Sequence, residues 1–259
     1  MTQVPMYDEL SQDYDRFVDW DARLRFELPF IETQLRAIGT RRVLDAACGT
    51  GMHAIALARQ GYETLGADPS APMIERARAN AKAARASARF EVAGFGQLAQ
   101  YTDTHADALL CLGNSLPHAL TDADLHAALA DFVACLRPGG LILIQNRNFD
   151  AVMARHERWM EPQSHKEDEA EWLFLRFYDF EADGTLGFNI WTLKRSHEIA
   201  WEQHVSSTRL RPWQRAQLFT ALETSGAERI AAFGDLLGGP FDAERSPNLV
   251  LAARKKAGL

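Results

Sequence analysis

Cysteine is scarce in this chain: Cys48, Cys111 and Cys135 are the only three in 259 residues. An odd count with no paired spacing argues against both a disulfide framework and a zinc centre. Long apolar runs are missing as well, so no segment is expected to cross a bilayer. Residues Met1 to Leu10 have no apolar stretch behind a basic flank, and no signal peptide is expected there. Positive charge is in deficit, with 28 Lys and Arg against 35 Asp and Glu and a formal net charge of −7. A surface of that sign repels phosphate backbones, which makes nucleic acid a poor partner. His197-Glu198 lacks the second histidine of a zinc-binding helix, and no Gly-x-Ser-x-Gly elbow of a hydrolase occurs. His156 and His165 lie in a polar stretch and read as solvated, so no metal is expected. Repeats, low-complexity tracts and flexible linkers are absent too. The expectation is a cytoplasmic protein without membrane or nucleic-acid partners, with a homo-oligomer left open.

What is present suits one globular domain, or one domain carrying a sizeable insertion, since 47% of the residues are hydrophobic. Tyr7 to Trp20 reads as an N-terminal helix or cap, and Arg23 to Ile38 as a helix with Leu24, Leu28, Ile31 and Leu35 in phase. Short apolar strands then alternate with helices: strands at 42–45, 63–68, 89–93, 108–112 and 141–145, helices after Gly51, over 69–84 and over 125–136. Apolar strands in that alternation predict an α/β fold, a mostly parallel sheet with helices on both faces. After Asn146 the pattern changes. Residues 151–170 are charged without periodicity, 171–180 and 186–194 alternate about the Asp183-Gly184 turn signal, and 196–210 reads as a third strand. This stretch reads as an antiparallel β insertion, after which 212–225 returns to helix and 229–233 and 248–253 to strand.

Asp45-Ala46-Ala47-Cys48-Gly49-Thr50-Gly51 lies between the first strand and a helix. Glycines there let the backbone approach a ligand closely, and the helix N-terminus favours a negative group. A dinucleotide site uses the same device, and Ala54 at its third glycine position does not exclude NAD. Asp68 ends the second strand, where a carboxylate can accept hydrogen bonds from both ribose hydroxyls. It could equally cap the next helix, as could Ser70. The order of loop and acid favours the ribose.

The stretch Asp45 to Gly51 followed by Asp68 resembles the S-adenosylmethionine-dependent class I methyltransferases. Cys111-Leu112-Gly113-Asn114-Ser115-Leu116-Pro117-His118 and the segment Arg137 to Asp150, ending Arg147-Asn148-Phe149-Asp150, resemble the glycine/sarcosine N-methyltransferase group more narrowly. The likeness covers roughly residues 7 to 150 and fades in the insertion. Together with the sequence pattern it gives a Rossmann-like fold in three parts: a cofactor-binding core with a helical cap over 1–150, the insertion, expected over the acceptor site, at 151–211, and completion of the core sheet by 212–259. It implies S-adenosylmethionine as cofactor, S-adenosylhomocysteine as its product, and a small-molecule acceptor. Asp45, Cys48 and Gly49 would border the methionine part, Ala46 and Gly51 would also belong to the cofactor site, and Asp68 would hold the ribose. Met73, Gly94 and Phe95 would meet the adenine, with Gly94 lacking the side chain the group places there. Leu112 and His118 would line the methionine end, Arg23 would bind its carboxylate, and Tyr14 would lie over the same end. Asn114 and Arg147, with Tyr14, would serve the acceptor.

Arg147 follows an apolar strand at the edge where open α/β sheets bind ligands, and a guanidinium grips a carboxylate through two parallel hydrogen bonds. A surface salt bridge, for example to Asp150, is the competing use. No general base stands out, although Tyr14 and Tyr178 could accept N–H bonds. Trp159, Trp172, Phe174, Phe177, Tyr178, Trp191 and Trp201 could embrace a methylated ammonium, but the core of a small sheet is the expected role. The acceptor-site tyrosines of the resembled group have no clear match, so glycine itself is not singled out. Gly113-Asn114-Ser115-Leu116 stands where methyltransferases of nucleobases or glutamine amides carry Asn-Pro-Pro-aromatic, which points to a small acceptor. The expected reaction is N-methylation of an amino acid or related amine-carboxylate. O- or C-methylation of another small acid, a SAM-binding sensor without turnover, and a dinucleotide oxidoreductase stay open.

Overall fold

A computed structural model describes residues 5–11, 13–102, 105–196 and 200–258. The pair His197-Glu198 lies outside the described residues. Three helices open the chain: α1 (Pro5–Leu10), α2 (Tyr14–Phe17) and α3 (Trp20–Arg36). The stretch expected as a helix or cap, Tyr7 to Trp20, holds most of α1 and all of α2; after α2, Val18 is extended and Asp19 caps α3, its side chain accepting from the Ala22 N–H. The core then alternates through β1 (Arg42–Ala46), α4 (Met52–Arg59), β2 (Glu63–Asp68), α5 (Ala71–Ala83), β3 (Ala88–Val92), β4 (Ala106–Cys111), α6 (Asp122–Cys135) and β5 (Leu136–Arg147). After α7 (Phe149–Arg155) come β6 (Gln163–Glu167), β7 (Ala170–Phe180), β8 (Leu186–Ser196) and β9 (Glu202–Leu210). Helix α8 (Arg215–Thr224), β10 (Ala227–Phe233) and β11 (Asn248–Lys255) return to the core.

The large sheet runs β10-β11-β5-β4-β1-β2-β3, and only β11 runs against the rest, antiparallel to both β10 and β5. Alternate side chains leave opposite faces of its strands. Leu44, Leu109 and Ile142 meet Phe132 of α6 and Leu222 of α8 on one side. Val43, Leu110 and Leu143 meet Ile31 and Leu35 of α3 on the other. Both faces are therefore covered, as apolar parallel strands require. The strand order reverses between β1 and β4, so the carboxyl ends of those two strands form a crevice.

Gly51 shows how tightly the loop after β1 is built. It caps α4 at φ +79°, and a Cβ there would lie 2.6 Å from the Phe90 ring and 2.9 Å from Ala77. Left-handed strain and overpacking act together at this position. Gly51→Ala is expected to cost about 3 kcal/mol, read as a lowered urea midpoint at unchanged m-value.

The second sheet is antiparallel and has four strands, β6-β7-β8-β9. The sequence reading expects three and leaves 151–170 irregular. That stretch holds most of α7 and all of β6, whose side chains Gln163-Ser164-His165-Lys166-Glu167 are polar on both faces, as befits an edge strand. Strand β5 also starts earlier than expected. It passes through Pro138-Gly139-Gly140 because Leu136 already pairs with Ala106, with a register irregularity taking up the slack. Of the insertion's aromatics, Trp172, Phe174 and Tyr178 are buried, whereas Trp159 and Trp201 are exposed. No described helix is long and apolar enough to cross a membrane.

Candidate functional site at the crevice

Beyond β1 the backbone turns through three left-handed positions, Ala47 at φ 59°, Gly49 at 54° and Gly51 at 79°. This loop is latched to the end of β2 by one carboxylate. The Gly49 N–H donates to Asp68 Oδ2 and the Ser70 N–H to Asp68 Oδ1, both at 2.9 Å. Ser70, rather than Asp68, caps α5, its side chain accepting from the Met73 N–H. Burial pushes the Asp68 carboxyl up to about 6 against the pull of those two N–H donors. Burial likewise raises Asp45 at the end of β1 to about 6, and its Oδ2 has no hydrogen-bond partner.

A cavity opens over this loop. Its floor is Ala47, Gly49 and Asp68. Pro69, Met73, Ala93 and Phe95 close one end, and Gly113, Ser115 and His118 the other. Phe95 is held by an edge-on contact with Phe132 at 5.1 Å between ring centroids. The roof comes from the N-terminal helices as Tyr7 and Tyr14. Tyr7 Oη and His118 Nε2 are hydrogen-bonded at 2.9 Å. Burial drives His118 down to about 4, so its ring is neutral near pH 7, and the same burial raises both tyrosines. The roof is tied down by Ser70 Oγ donating to Asp8 and by Ser206 Oγ donating to Glu9 Oε2 at 3.0 Å. Arg16 Nε adds a bond to Glu167 Oε2 at 2.7 Å.

Beside the cavity lies a buried relay from α3 to α4. Arg23 Nε donates to Glu27 Oε1 at 3.0 Å, and Glu27 Oε2 meets His53 Nε2 at 2.6 Å. Burial alone would raise the Glu27 carboxyl, but the His53 hydrogen bond and the Arg23 charge hold it below its usual range. The Arg23 guanidinium stacks 5.0 Å from the Trp20 ring and ends 3.6 Å from where a Gly113 Cβ would stand. Among the described residues no group of three His, Cys, Asp or Glu side chains could hold a metal ion.

Residues 43–140 match the methyltransferase domain family. The chain is 35% identical over 151 residues to a glycine/sarcosine N-methyltransferase of Parasynechococcus marenigrum, covering 58% of this chain and 54% of that protein. It is 38% identical over 141 residues to a glycine/sarcosine/dimethylglycine N-methyltransferase of Actinopolyspora halophila, covering 54% of this chain and 25% of that one. The matched part thus spans about half the first relative and a quarter of the second. The fold superposes on an S-adenosylmethionine-dependent methyltransferase of Clostridium acetobutylicum with a TM-score of 0.78, 16% identity, and coverage of 97% of this chain and 99% of that one. Residues 43–140 are a methyltransferase domain. The fold is Rossmann-like and of class I, S-adenosylmethionine is the cofactor of that class, and the chain resembles the glycine/sarcosine N-methyltransferases.

The structure brings Tyr14, Gly49, Asp68, Met73, Phe95 and His118 to one cavity. Other residues singled out in the sequence sit behind it. Ala46 packs under the sheet, Cys48 Sγ turns beneath Gly66, and Leu112 joins the cluster against α3. Gly51 serves the packing of α4, and the Gly94 N–H is taken by Gln97 Oε1 at 3.3 Å. Asn114, at φ 68°, accepts the Arg147 N–H at 3.0 Å through Oδ1, which fixes where Arg147 leaves β5. The Arg147 guanidinium reaches Glu157 at 3.3 Å rather than Asp150, whose carboxylate accepts the Arg215 N–H. Its Nε is buried without a partner. Tyr7, Ala47, Pro69, Ala93, Gly113, Ser115, Glu27, His53 and Arg176 join these residues without having stood out by motif or spacing. Ala47, Gly113 and Ser115 do lie inside the Asp45 to Gly51 and Cys111 to His118 stretches, and Arg176 announces itself as a charge in the apolar phase of an alternating strand.

Proposed function

We propose that this protein methylates the amine of a small amino acid or related amine-carboxylate. The observation that carries the reading is Arg147. It stands at the carboxyl end of β5 with an unpartnered, buried Nε, on a backbone held by Asn114 of the loop that lines the cofactor cavity. A guanidinium there selects a carboxylate and sets its orientation. The names of the curated relatives point the same way.

The cavity fits the cofactor. An unpartnered carboxylate oxygen on Asp45 calls for a hydrogen-bond donor, such as the ammonium of an amino-acid moiety. Gly49 leaves the loop open, with only the Tyr14 ring, at 3.8 Å, near its would-be Cβ. Asp68 would accept from the ribose through the lone pairs its two backbone donors leave free. Met73 and Phe95 would face the adenine. Arg23, steadied by Glu27 and His53, would meet the carboxylate. Bound there, S-adenosylmethionine supplies an already activated methyl group, so the chain need build no nucleophile of its own. The protein's contribution is then to orient the acceptor, worth on the order of 7–11 kcal/mol at the limit, and to exclude water. The roof of Tyr7 and Tyr14 and the insertion behind it do the latter. The amine has to be uncharged to react, and the hydroxyls of Tyr14 and Tyr178 would accept its N–H bonds.

A methyl-transfer assay reading S-adenosylhomocysteine release tests this against a panel of amino acids, simple amines and phenolic acids. Turnover on amino acids is the expected result. Turnover confined to acceptors without a carboxylate would remove Arg147 from its role.

A further inference from the structure

The inward face of β7 reads Trp172, Phe174, Arg176, Tyr178, Phe180, an arginine in the middle of an apolar row. On one side of it Phe174 packs with Met6 and Phe17, and on the other Tyr178 packs with Phe149 and Leu186. The guanidinium lies 4.8 Å from the Phe17 ring centroid. Among the described residues no carboxylate pairs with Arg176, and its Nε is buried without a hydrogen-bond partner. Burial lowers its pKa, and the neighbouring charge of Arg147 lowers it further.

Arg147 lines the same cavity as Arg176, with Glu157, Trp159 and Met160 at its outer side. Its own Nε is buried and unpartnered, and its bridge to Glu157, a side chain 41% exposed, is of the half-solvated kind that contributes little. The Tyr178 hydroxyl is a third buried polar group here without a partner. Guanidiniums only donate, and two of them close together out of water repel each other. Folded proteins rarely leave such donors unmatched. What would satisfy both forks is a ligand that brings acceptor oxygens and two negative charges.

We propose that Arg147 and Arg176 together form an acceptor site for a small molecule bearing two acidic groups, one for each guanidinium. This rests on the reading of Arg147 as the residue that holds the acceptor's carboxylate and narrows its substrate class from simple amine-carboxylates to amines with two acids. A monocarboxylate fills one fork and leaves the other open.

The test is calorimetric titration of the S-adenosylhomocysteine-loaded protein with acetate, succinate and glutarate, none of which can be methylated on nitrogen. At least one diacid is expected to bind about 10- to 100-fold tighter than acetate. Arg176→Gln should erase that advantage and Arg176→Lys restore part of it. Equal affinity for all three probes overturns the proposal, as does a folded Arg176→Gln protein that keeps the diacid preference. If the variants do not fold, the comparison on the unaltered protein decides. Aspartate and glutamate are then compared with glycine for methyl transfer. A diacid preference without turnover on any amine upholds the two-arginine site and sinks the amine reading. Turnover on glycine with no diacid preference does the reverse.

Discussion

Arg147→Ala is expected to raise the acceptor KM by roughly 30- to 150-fold while S-adenosylmethionine affinity stays within about twofold. The size follows from truncating one partner of a buried, charge-assisted pair, which costs about 2–3 kcal/mol. The split follows from position. Arg147 lines the outer cavity with Arg176, whereas the cofactor cavity is lined by Asp68, Met73, Phe95 and His118. Stability should hardly move, because the one ion pair lost, to Glu157 at 3.3 Å, is half-exposed. Removing the side chain also relieves the repulsion with Arg176. Arg147→Lys should recover only part of the loss, since an ammonium keeps the charge but not the fork. Equal weakening of cofactor and acceptor would place Arg147 at the cofactor instead.

The parallel core was legible because its strands are too apolar to be anything but buried on both faces. Ala106–Cys111 carries six buried residues in a row, and the loops that punctuate it hold glycines at positive φ. The insertion was less legible. Its inner strands β7 and β8 alternate clearly, but β6 is polar on both faces and is specified only by its pairing with β7, a contact that no local pattern announces. The same limit applies to the site. Motif residues on the β1 loop could be found by spacing, but which of them face the cavity depends on the turn. Ala47 and Gly49 line it, and Cys48 between them points into the core. Tyr7, Glu27 and His53 are brought in by helix packing across 26 to 111 residues of sequence, the separations of the Glu27–His53 and Tyr7–His118 bonds. The N-terminal helices were legible as a cap, with Tyr14 over the methionine end, but the place of Tyr7 and its bond to His118 emerges only from the packing of α1.

Asp45→Asn is expected to separate binding from stability at this site. The carboxyl is fully buried, and burial lifts it from 3.8 to about 6 despite the nearby His53 and the Ala54 N–H. A carboxyl that titrates near 6 rather than 3.8 costs the folded chain roughly 3 kcal/mol when ionised. The folded protein holds more protons than the unfolded between those values, so this contribution to stability is largest in acid and is lost as pH rises through about 6. Asparagine keeps the size and removes the charge, at the cost of one unpartnered amide group. The net gain at pH 8 should be about 1–2 kcal/mol, or about 2–6 °C in the melting temperature of the ligand-free protein. At pH 5 about half of that charge cost is gone, because the unfolded carboxyl is still ionised there, and the amide's cost cancels what remains, so the net gain should fall to about zero. The same substitution replaces the orphaned Oδ2 by a donor where the cofactor's ammonium would need an acceptor, so S-adenosylmethionine should bind at least about tenfold more weakly. Melting curves at the two pH values and a titration with the cofactor read both effects. A variant that melts lower than the native chain at pH 8 would show that Asp45 stabilises the ligand-free fold, and unchanged cofactor affinity would remove it from the methionine end of the site.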